Sequence, residues 1–557
     1  MAITPDDLVH PRPHHNQPPP LEDFNRYAGN QALRDALARE GAGWADSELL
    51  AAGAELGSAE WISRGDLANR YPPRLHALDR RGERRDAFEF HPAWHQCLHW
   101  IKAQGLAGAS WTDHRPGAQV RRAALFQLFA EVECGSLCPA TMTQGAVSVL
   151  ARSGDGFFDE PWLRLLRAPV YDERFVPAGE KRGLLMGMGL TERQGGSDVR
   201  ANSTRAVPRG DGWFRLDGHK WFFSAAMCDA FLVTAQSADG LDCFFLPRFG
   251  PDGEPNGIHL VRAKDKLGDR SNASAEVEFH GALARRVGEP GRGLATVLDM
   301  ANHTRLDCAN GSAGLMRAAL AEALHVARHR RAFGKPLIEQ PLMANVLADM
   351  VLEVEGHIAL CLRVAACLDA RERDGSAALL ARLLIPVAKY WVCQRAPPVV
   401  AEAMQAVGGN GYVEDGPLPR LYRQAPLNAI WEGAGNIVCL DVLRVLAREP
   451  EAAPLLIRWL GGYRGIVAAY DHALDGLEAL LQAPEPAGAR HLCEAIALQA
   501  QGALLLGDGP SPHALAFGAS RLGNPGGHCL GTLPFDSDFP GLIARALPDA
   551  SFGKSGP

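Results

Sequence analysis

The sequence predicts an α+β protein that is mainly helical, with an N-terminal helical domain, a middle antiparallel β domain, a C-terminal helical bundle and an extra helical extension. Apolar residues recur at three- and four-residue spacing up to about residue 170 and again after about residue 294, which is typical of amphipathic helices. Between them lie short aromatic and β-branched runs separated by Gly, Asp, Pro and Asn, which indicate antiparallel strands or a barrel. Strands and helices do not alternate and no G-x-G-x-x-G follows a first strand, so a Rossmann domain is excluded.

The domain boundaries are placed where this pattern changes. The predicted parts are an extended Pro- and His-rich arm (1–30), the N-terminal helical domain (31–182), the β domain (183–290), the helical bundle (291–448) and the C-terminal helical extension (449–557). Asn30 is a plausible cap for the first helix.

Helical periodicity divides the bundle into four segments. Three long helices are predicted at about 294–332, 341–372 and 376–408, and a shorter one at about 434–447. Pro397 and Pro398 predict a kink or break in the third, because proline removes a helical hydrogen bond.

Composition narrows the function classes. The chain has 557 residues, a net charge of −7 and 47% hydrophobic residues, as expected for a globular protein without a globally basic surface. The 12 cysteines contain no C-x-x-C pair, so we expect reduced core thiols and no metal site, and we interpret "HPRPHH" (10–15) as a solvated tail. No signal-peptide core or membrane-length apolar run is present, which predicts a cytoplasmic protein without a membrane partner.

Two motifs of the β domain are candidates for ligand binding. "GMGLTERQGGSDV" (187–199) offers hydroxyl and backbone N–H groups to a ring edge or a phosphate, although such loops are most often plain turns. "GHKWFFSAA" (218–226) is either a strand packed on the bundle or a wall that faces a flavin.

Three motifs of the bundle are equally ambiguous when taken alone. "RHRRAFGKPL" (328–337) places basic residues at a helix end, where they complement the helix dipole or where Arg330 grips a diphosphate. "QAVGGNGY" (405–412) ends a helix with glycines that would also let a backbone approach a ligand. In "NAIWEGAGNIVCL" (428–440), Glu432 has apolar neighbours, and a carboxylate there is either at the surface or held for chemistry.

The order and spacing of these five motifs resemble the acyl-CoA dehydrogenase superfamily of FAD flavoproteins, over roughly residues 85–447. "LTERQGGSD" is similar to the family's "TEPxAGSD", "KWFFS" to "KxWIT", "RRAFGKPL" to "RxxFGxPL", "QAVGGNGY" to "QxxGGxGY" and "IWEGAGN" to "IYEGT". "REGAGW", "LGSAEWISRGDLANRYPP" and "CPATMT" further resemble the adaptive alkylation-response branch, and that likeness includes the arm and the C-terminal extension.

The resemblance implies that FAD binds noncovalently between the β domain and the bundle. Residues implied at the flavin and its pyrophosphate from the β domain are Met188, Leu190, Thr191, Gly196, Ser197, Phe222, Phe223 and Ser224. Residues implied to reach the FAD of a neighbouring subunit are Arg330, Phe333, Gln405, Gly408 and Gly409, which predicts a homotetramer built as a dimer of dimers. Gly433, Ala434 and Asn436 complete the set, although Ala434 lacks the family's threonine hydroxyl and Asn436 replaces a glutamine.

The resemblance also implies the reaction. Glu432 corresponds to the base that removes the α proton of an acyl-CoA thioester while flavin N5 takes a hydride from the β carbon, and its apolar surroundings should raise its pKa. Arg305 in "NHTRLD" corresponds to an arginine that contacts CoA, and Thr304 replaces the glutamate that usually precedes it. We therefore predict an acyl-CoA dehydrogenase with low activity on short or branched acyl-CoA.

Two alternative functions remain open. The branch is associated with double-stranded DNA and protection against alkylation, so the protein could retain FAD without efficient acyl-CoA oxidation. Residues 451–557 contain ten acidic residues and six basic ones, namely Arg458, Arg464, Arg490, Arg521, Arg545 and Lys554. Because phosphate binding relies on Lys and Arg, this charge does not support DNA as a partner. A flavin oxidase or monooxygenase on the same scaffold is the third possibility, since oxygen access depends on cavity shape.

Overall fold

The computed structural model describes residues 16–507, 509–523, 529–534 and 536–548, so the "HPRPHH" segment and Lys554 lie outside the described residues. The last part of the arm is docked on one end of the bundle. Asn16 Nδ2 donates to the Arg331 carbonyl oxygen at 2.8 Å, and Asn410 Nδ2 donates to Gln17 Oε1 at 2.9 Å. These contacts bring the arm beside two of the predicted cofactor motifs.

The N-terminal domain is helical apart from one hairpin. Its elements are α1 (Gln31–Arg39), α2 (Asp46–Leu56), α3 (Ala59–Arg70), β1 (Arg74–Leu78), β2 (Arg84–Glu89), α4 (Pro92–Ala103), α5 (Ala118–Ala130), α6 (Leu137–Arg152) and α7 (Arg164–Arg167). The Asn30 side chain accepts a hydrogen bond from the Leu33 N–H, which confirms the predicted cap.

The β1–β2 hairpin departs from the helical prediction for this region. Arg84 Nη2 donates to the Leu260 carbonyl oxygen at 3.0 Å, and the Leu260 N–H donates to Asp86 Oδ1 at 2.7 Å. The hairpin is therefore anchored on a strand that comes about 175 residues later, a contact that local periodicity does not report.

The β domain is a closed barrel. Its strands are β3 (Met186–Gly189), β4 (Arg205–Pro208), β5 (Trp213–Ser224), β6 (Ala230–Ser237), β7 (Gly240–Pro247), β8 (Ile258–Ala263) and β9 (Ser274–Val287). The order is β3-β5-β4-β6-β7-β9-β8, and additional β3–β6 and β5–β9 pairings close the ring. Pairing is antiparallel as predicted, except that β3 and β4 run parallel to β6.

The bundle helices lie within a few residues of their predicted positions. They are α8 (Gly293–His329), α9 (Pro341–Ala370), α10 (Gly375–Val407), α11 (Leu418–Gln424) and α12 (Gly435–Arg448). Of the predicted kink or break in α10, the break is wrong, because the helix continues through Pro397 and Pro398. This helix is long and apolar enough to cross a membrane, but most of it is buried in the bundle. Its packing against the neighbouring helices keeps α10 helical at the prolines, which lack N–H donors.

The extension adds a helical layer to the bundle. Its helices are α13 (Ala452–Gly461), α14 (Ala468–Gln482), α15 (Ala489–Leu506), α16 (Pro512–Phe517) and α17 (Phe539–Ala544). Arg521 forms an ion pair with Glu353 at 3.0 Å, and Arg545 forms ion pairs with Asp35 at 2.8 Å and with Glu355. These pairs tie the extension to α9 and to the N-terminal domain.

Candidate functional site

Glu432 lies in the turn that leads into α12, in a backbone conformation that is rare for a residue with a Cβ. Its φ is +58°, and the φ of the following Gly433 is +102°. A left-handed non-glycine residue stores roughly 1–3 kcal/mol when it is strained. Arg305 Nε donates to the Glu432 carbonyl oxygen at 3.1 Å, and Lys389 Nζ donates to the Gly433 carbonyl oxygen. Two cations, one from α8 and one from α10, therefore fix this turn.

The Glu432 carboxylate has a defined partner. Thr304 Oγ1 donates to Glu432 Oε2 at 2.7 Å. Burial raises the pKa of Glu432 above its ordinary value, while Thr304, Arg305 and Lys389 partly offset this. The residue is only partly buried, so a bound molecule can reach it. A carboxylate with these properties can act as a proton acceptor.

Arg305 is held inside the fold by a carboxylate and a backbone carbonyl. The residue is only 4% exposed, and its Nη1 donates to Asp441 Oδ2 at 2.6 Å. Arg382 donates to the same carboxylate at 2.9 Å. Although burial would raise the Asp441 pKa, Arg382 and Arg305 lower it to about 2. Arg305 is thus bonded to Asp441 and to the Glu432 backbone, and its contact with CoA stays a prediction.

Lys389 and Asp441 are absent from the sequence-based site. Lys389 is 1% exposed in the apolar stretch "LLIPVAKYWVC", and an isolated charge in such a stretch indicates a specific partner. The sequence therefore indicates that Lys389 has a specific partner. The identity of that partner depends on the packing of α10 against the Glu432 turn. Thr304 is recognisable as a departure from the family pattern, whereas its bond to Glu432 requires the fold.

The β-domain motifs meet at one edge of the barrel. Met188 on β3 pairs directly with Ser224 on β5, and the Trp221 N–H donates to the Thr191 carbonyl oxygen at 2.8 Å. A Cβ at Gly196 would lie 2.5 Å from Thr191 Oγ1, so a larger residue there would require the Thr191 side chain to move. Leu190 is partly buried beside this group and Ser197 is exposed. The structure therefore brings these predicted residues together.

Phe223 is the exception in this group. It is fully buried, with its ring 4.3 Å from that of Phe231 and 6.0 Å from that of Phe279. Phe222 is 49% exposed on the other face of the strand. Successive strand residues point to opposite faces, so the Phe223 side chain points into the barrel and the Phe222 side chain points out of it. The contact of Phe223 with a flavin stays a prediction.

The remaining bundle motifs lie together at the end of α8 and α10. Arg330 Nη1 donates to the Val407 carbonyl oxygen at 3.3 Å, and a Cβ on Gly408 would lie 3.7 Å from the same nitrogen. Phe333, which has a φ of +52°, is 96% exposed. Gln405 and Gly409 are also exposed. Within the described part of the chain, no hydrogen bond or ion pair links this group to the β-domain group.

The turn after Glu432 forms a hydrogen bond with the extension. Asn436 Oδ1 accepts a hydrogen bond from Arg490 Nε at 2.8 Å, so the oxygen predicted for cofactor binding already has a partner on α15. Ala434 is exposed and supplies no side-chain cap to α12. Gly433 contributes its carbonyl to Lys389.

The donor set fits a flavin dinucleotide. Phe222 presents a half-exposed ring beside the Met188–Ser224 pair, which suits the face of a flavin. The Arg330 guanidinium has no carboxylate partner among the residues described, and its one hydrogen bond is to a backbone carbonyl. An arginine without an acidic partner suits a diphosphate.

Comparison with known families agrees with this division of the chain. Residues 16–173 match the adaptive response protein AidB N-terminal domain. Residues 187–282 match the acyl-CoA dehydrogenase middle domain, and residues 291–447 match the acyl-CoA dehydrogenase C-terminal domain.

Individual relatives extend this agreement to nearly the whole chain. The protein named "Putative acyl-CoA dehydrogenase AidB" of Escherichia coli (strain K12) is 48% identical over 92% of this chain and 94% of its own. The crystal structure of Caenorhabditis elegans ACDH-11 in complex with C11-CoA is 28% identical, covers 96% of this chain and 93% of its own, and superposes with a TM-score of 0.83. A Bacillus anthracis acyl-CoA dehydrogenase complexed with FAD shares the fold, with 20% identity over 77% of each chain and a TM-score of 0.60. The chain therefore belongs to the acyl-CoA dehydrogenase family, in the branch that carries the AidB N-terminal domain.

Proposed function

We propose that the protein is an FAD-dependent acyl-CoA dehydrogenase that acts on short or branched acyl-CoA, with Glu432 as the base. The observation that carries the proposal is the Glu432 turn, in which two cations hold consecutive carbonyls and Thr304 holds the carboxylate. General-base catalysis needs a proton acceptor held in one position with a pKa close to working pH. Glu432 is held in one position, and burial moves its pKa upward from the ordinary value of a glutamate.

The chain's own residues account for the proton step. Glu432 takes the proton from the carbon next to the thioester carbonyl, and Thr304 keeps one carboxylate oxygen fixed. Burial favours the neutral acid that results. When bound, FAD supplies the acceptor for the hydride that leaves the β carbon. The exposed β-domain edge supports FAD as the cofactor, as does Arg330, which has no acidic partner among the described residues. The C11-CoA complex of the C. elegans relative supports acyl-CoA as the ligand class.

The test is an anaerobic titration of the purified yellow protein with a panel of straight and branched acyl-CoAs. Loss of flavin absorbance with short or branched chains is the expected result. If no acyl-CoA bleaches the flavin, the dehydrogenase proposal fails. If reduction occurs only with long straight chains, the reaction stands and the substrate class is wrong.

Thr304→Val should shift the pH dependence of flavin reduction to higher pH. The Thr304 hydroxyl lowers the Glu432 pKa, and Glu432 accepts a proton only when it is ionised, so losing the hydroxyl moves the rise in rate upward. A hydrogen bond to a charged group is worth about 1.5–3 kcal/mol, or roughly one to two pH units. Stopped-flow reduction rates across pH measure the shift, and Thr304→Ser is the control that should retain the wild-type profile. Equal profiles for valine and serine would contradict the role.

We also propose that the chain assembles as a homotetramer. Three large side chains near the same end of the bundle are strongly exposed: Phe333 at 96%, Leu342 at 84% and Tyr412 at 83%. Exposed apolar groups of this kind usually mark interfaces. Arg330 lies beside them without an acidic partner among the described residues, which supports a cofactor that is shared with a second subunit.

Phe333→Asp should therefore reduce both the oligomer size and the FAD content. A charge at this position would be buried in the interface, at a cost of several kcal/mol. Light scattering after size exclusion measures the mass, and absorbance gives the flavin-to-protein ratio. Val207→Asp, at a 56% exposed position on β4, is the matched control and should remain tetrameric. A tetrameric Phe333→Asp protein with full FAD would refute the assignment.

No observation favours DNA association over this function. The extension's arginines are largely committed within the chain: Arg464 pairs with Asp475 and Glu478, Arg490 with Asn436, Arg521 with Glu353 and Arg545 with Glu355. Paired cations contribute little to phosphate binding. These pairs, like the excess of acidic residues in the extension, therefore do not support DNA as a partner.

A further inference from the structure

A cavity lies between the N-terminal domain and the barrel. Its volume is about 80 Å³, and its walls come from the start of α4, the segment 171–176, and the barrel segments 225–229 and 248–249. The lining includes the aromatic side chains of Phe88, Phe90, Trp94, Tyr171, Phe175 and Phe249. No residue of the Glu432 turn or of the predicted cofactor set contributes to it.

Arg248 is the unusual group in this cavity. It is 4% exposed, and its Nε and Nη2 are buried without a hydrogen-bond partner in the described part of the chain. Its guanidinium carbon lies 5.0 Å from the Phe231 ring centre and 5.9 Å from that of Phe175. Burial lowers the Arg248 pKa to about 10, so the group remains charged at neutral pH. A buried charge without a partner is costly to keep.

Three acidic residues line the same cavity, and two of them already have a cation. Asp229 pairs with Lys181 at 2.6 Å and Asp172 with Arg174 at 2.7 Å. Glu173 lies 3.1 Å from His95, but burial lowers the His95 pKa, so this histidine is not a cation at neutral pH. Among the described residues, none of the three carboxylates accepts a hydrogen bond from Arg248 Nε or Nη2.

Asn272 supplies a second unpartnered atom to the same cavity. It is 2% exposed, and its Nδ2 donates to Asp269 Oδ2 at 3.1 Å. That bond leaves Oδ1 buried, with no hydrogen-bond partner among the described residues. Buried donors are rarely left unpaired, so Nε and Nη2 of Arg248 indicate a bound acceptor, whereas Asn272 Oδ1 is itself an acceptor and does not pair with an anion.

We propose that this cavity binds a small aliphatic carboxylate, whose carboxylate group pairs with Arg248 while its apolar part lies between the aromatic rings. Guanidinium and carboxylate match in shape and can form two parallel hydrogen bonds. A water-sized group needs about 10–15 Å³ of such space, so the cavity accommodates roughly six non-hydrogen atoms. A four-carbon acid has that size. The ligand would join the N-terminal domain to the barrel, outside the flavin site.

The test uses butyrate and its neutral isostere butyramide, with ligand-observed NMR titration of the FAD-loaded protein. Butyrate should bind at least tenfold more tightly than butyramide, because only butyrate can pair with the Arg248 charge. Arg248→Met should weaken butyrate binding at least tenfold and leave butyramide unchanged. The flavin absorption spectrum should not change on binding.

Arg317→Met is the matched control. Arg317 is also buried, at 2% exposure, with Nε and Nη1 unpartnered among the described residues, but it does not line the cavity. This variant should bind butyrate as the wild type does.

Three results would overturn the proposal: equal or undetectable binding of both compounds to the wild type, wild-type butyrate affinity in folded Arg248→Met, or a flavin spectrum that changes with butyrate. If Arg248→Met does not fold, the proposal is tested by the affinities of the wild type for butyrate and butyramide.

Discussion

Glu432→Gln should lower the rate of flavin reduction by acyl-CoA by about 10³-fold or more, because the glutamine amide cannot accept the α proton. Glutamine keeps the size of the side chain and can still accept the hydrogen bond from Thr304. Since burial raises the Glu432 pKa, the folded protein disfavours the ionised form, and a neutral side chain should not lower the melting temperature. Anaerobic stopped-flow absorbance measures the rate, and the flavin-to-protein ratio shows that FAD is retained.

Glu322→Gln is the matched control for this substitution. Glu322 lies on α8, about 25 Å along the helix from Arg305 at 1.5 Å per residue, and burial raises its pKa to about 7. Its neutral variant should reduce the flavin at the wild-type rate. Wild-type reduction in Glu432→Gln would refute Glu432 as the base, whereas loss of reduction in both variants would point to a general effect of buried carboxyls.

Lys389→Met should slow flavin reduction about tenfold or more and shift its pH dependence to higher pH. The substitution removes the donor to the Gly433 carbonyl, so the strained turn loses one of its two fixed points. It also removes a positive charge that lowers the Glu432 pKa. Because the base is active only when ionised, a higher pKa moves the rise in rate to higher pH. Reduction rates across pH separate the shift from the fall in maximal rate.

Lys102→Met provides the matched control in the N-terminal domain. Lys102 is also 1% exposed, and its Nζ donates to backbone carbonyls, including that of Leu166 at 2.8 Å. Its replacement should affect stability without altering the pH profile of reduction. If the pH profile of flavin reduction in both Lys389→Met and Lys102→Met equals that of the wild type, Lys389 acts only on folding and its role at Glu432 is refuted. Lys389→Arg, which keeps the charge, should retain most of the wild-type pH dependence.

Both predictions depend on one feature: the Glu432 turn is held by helices of the bundle rather than by its own loop. Arg305 is oriented by Asp441, which Arg382 also contacts. The bonds from Arg305 and Lys389 to backbone carbonyls then fix the direction in which Glu432 leaves the chain. Such preorganisation allows a single carboxylate to be placed against a substrate carbon.

Local patterns predicted the helices of the bundle well. Apolar spacing located α8, α9 and α10 within a few residues, and Gly408, with a φ of +80°, ends α10 as its glycine-rich motif indicated. The break at Pro397 and Pro398 did not occur, because packing in the bundle outweighs the loss of two N–H donors. The β1–β2 hairpin escaped prediction because its anchor on β8 is distant in sequence.

Side-chain direction was harder to predict than secondary structure. In β5 the pairing with β9 shifts register between Lys220 and Phe223, so that both of these residues are buried while Phe222 is exposed. An irregularity of this kind changes which residues face the core. This explains why Phe223 fills the barrel although its motif was assigned to the flavin.

By itself, the sequence determined the order of the domains, the family and the presence of a carboxylate in the "IWEGAGN" motif, since these follow from local periodicity and short motifs. Only the tertiary structure decided that Arg305 and Lys389 hold the Glu432 turn, and that Arg248 Nε and Nη2 have no partner among the described residues. The physical reason is that ion pairing and burial depend on residues from separate elements. Lys389 and Gly433, for example, are 44 positions apart.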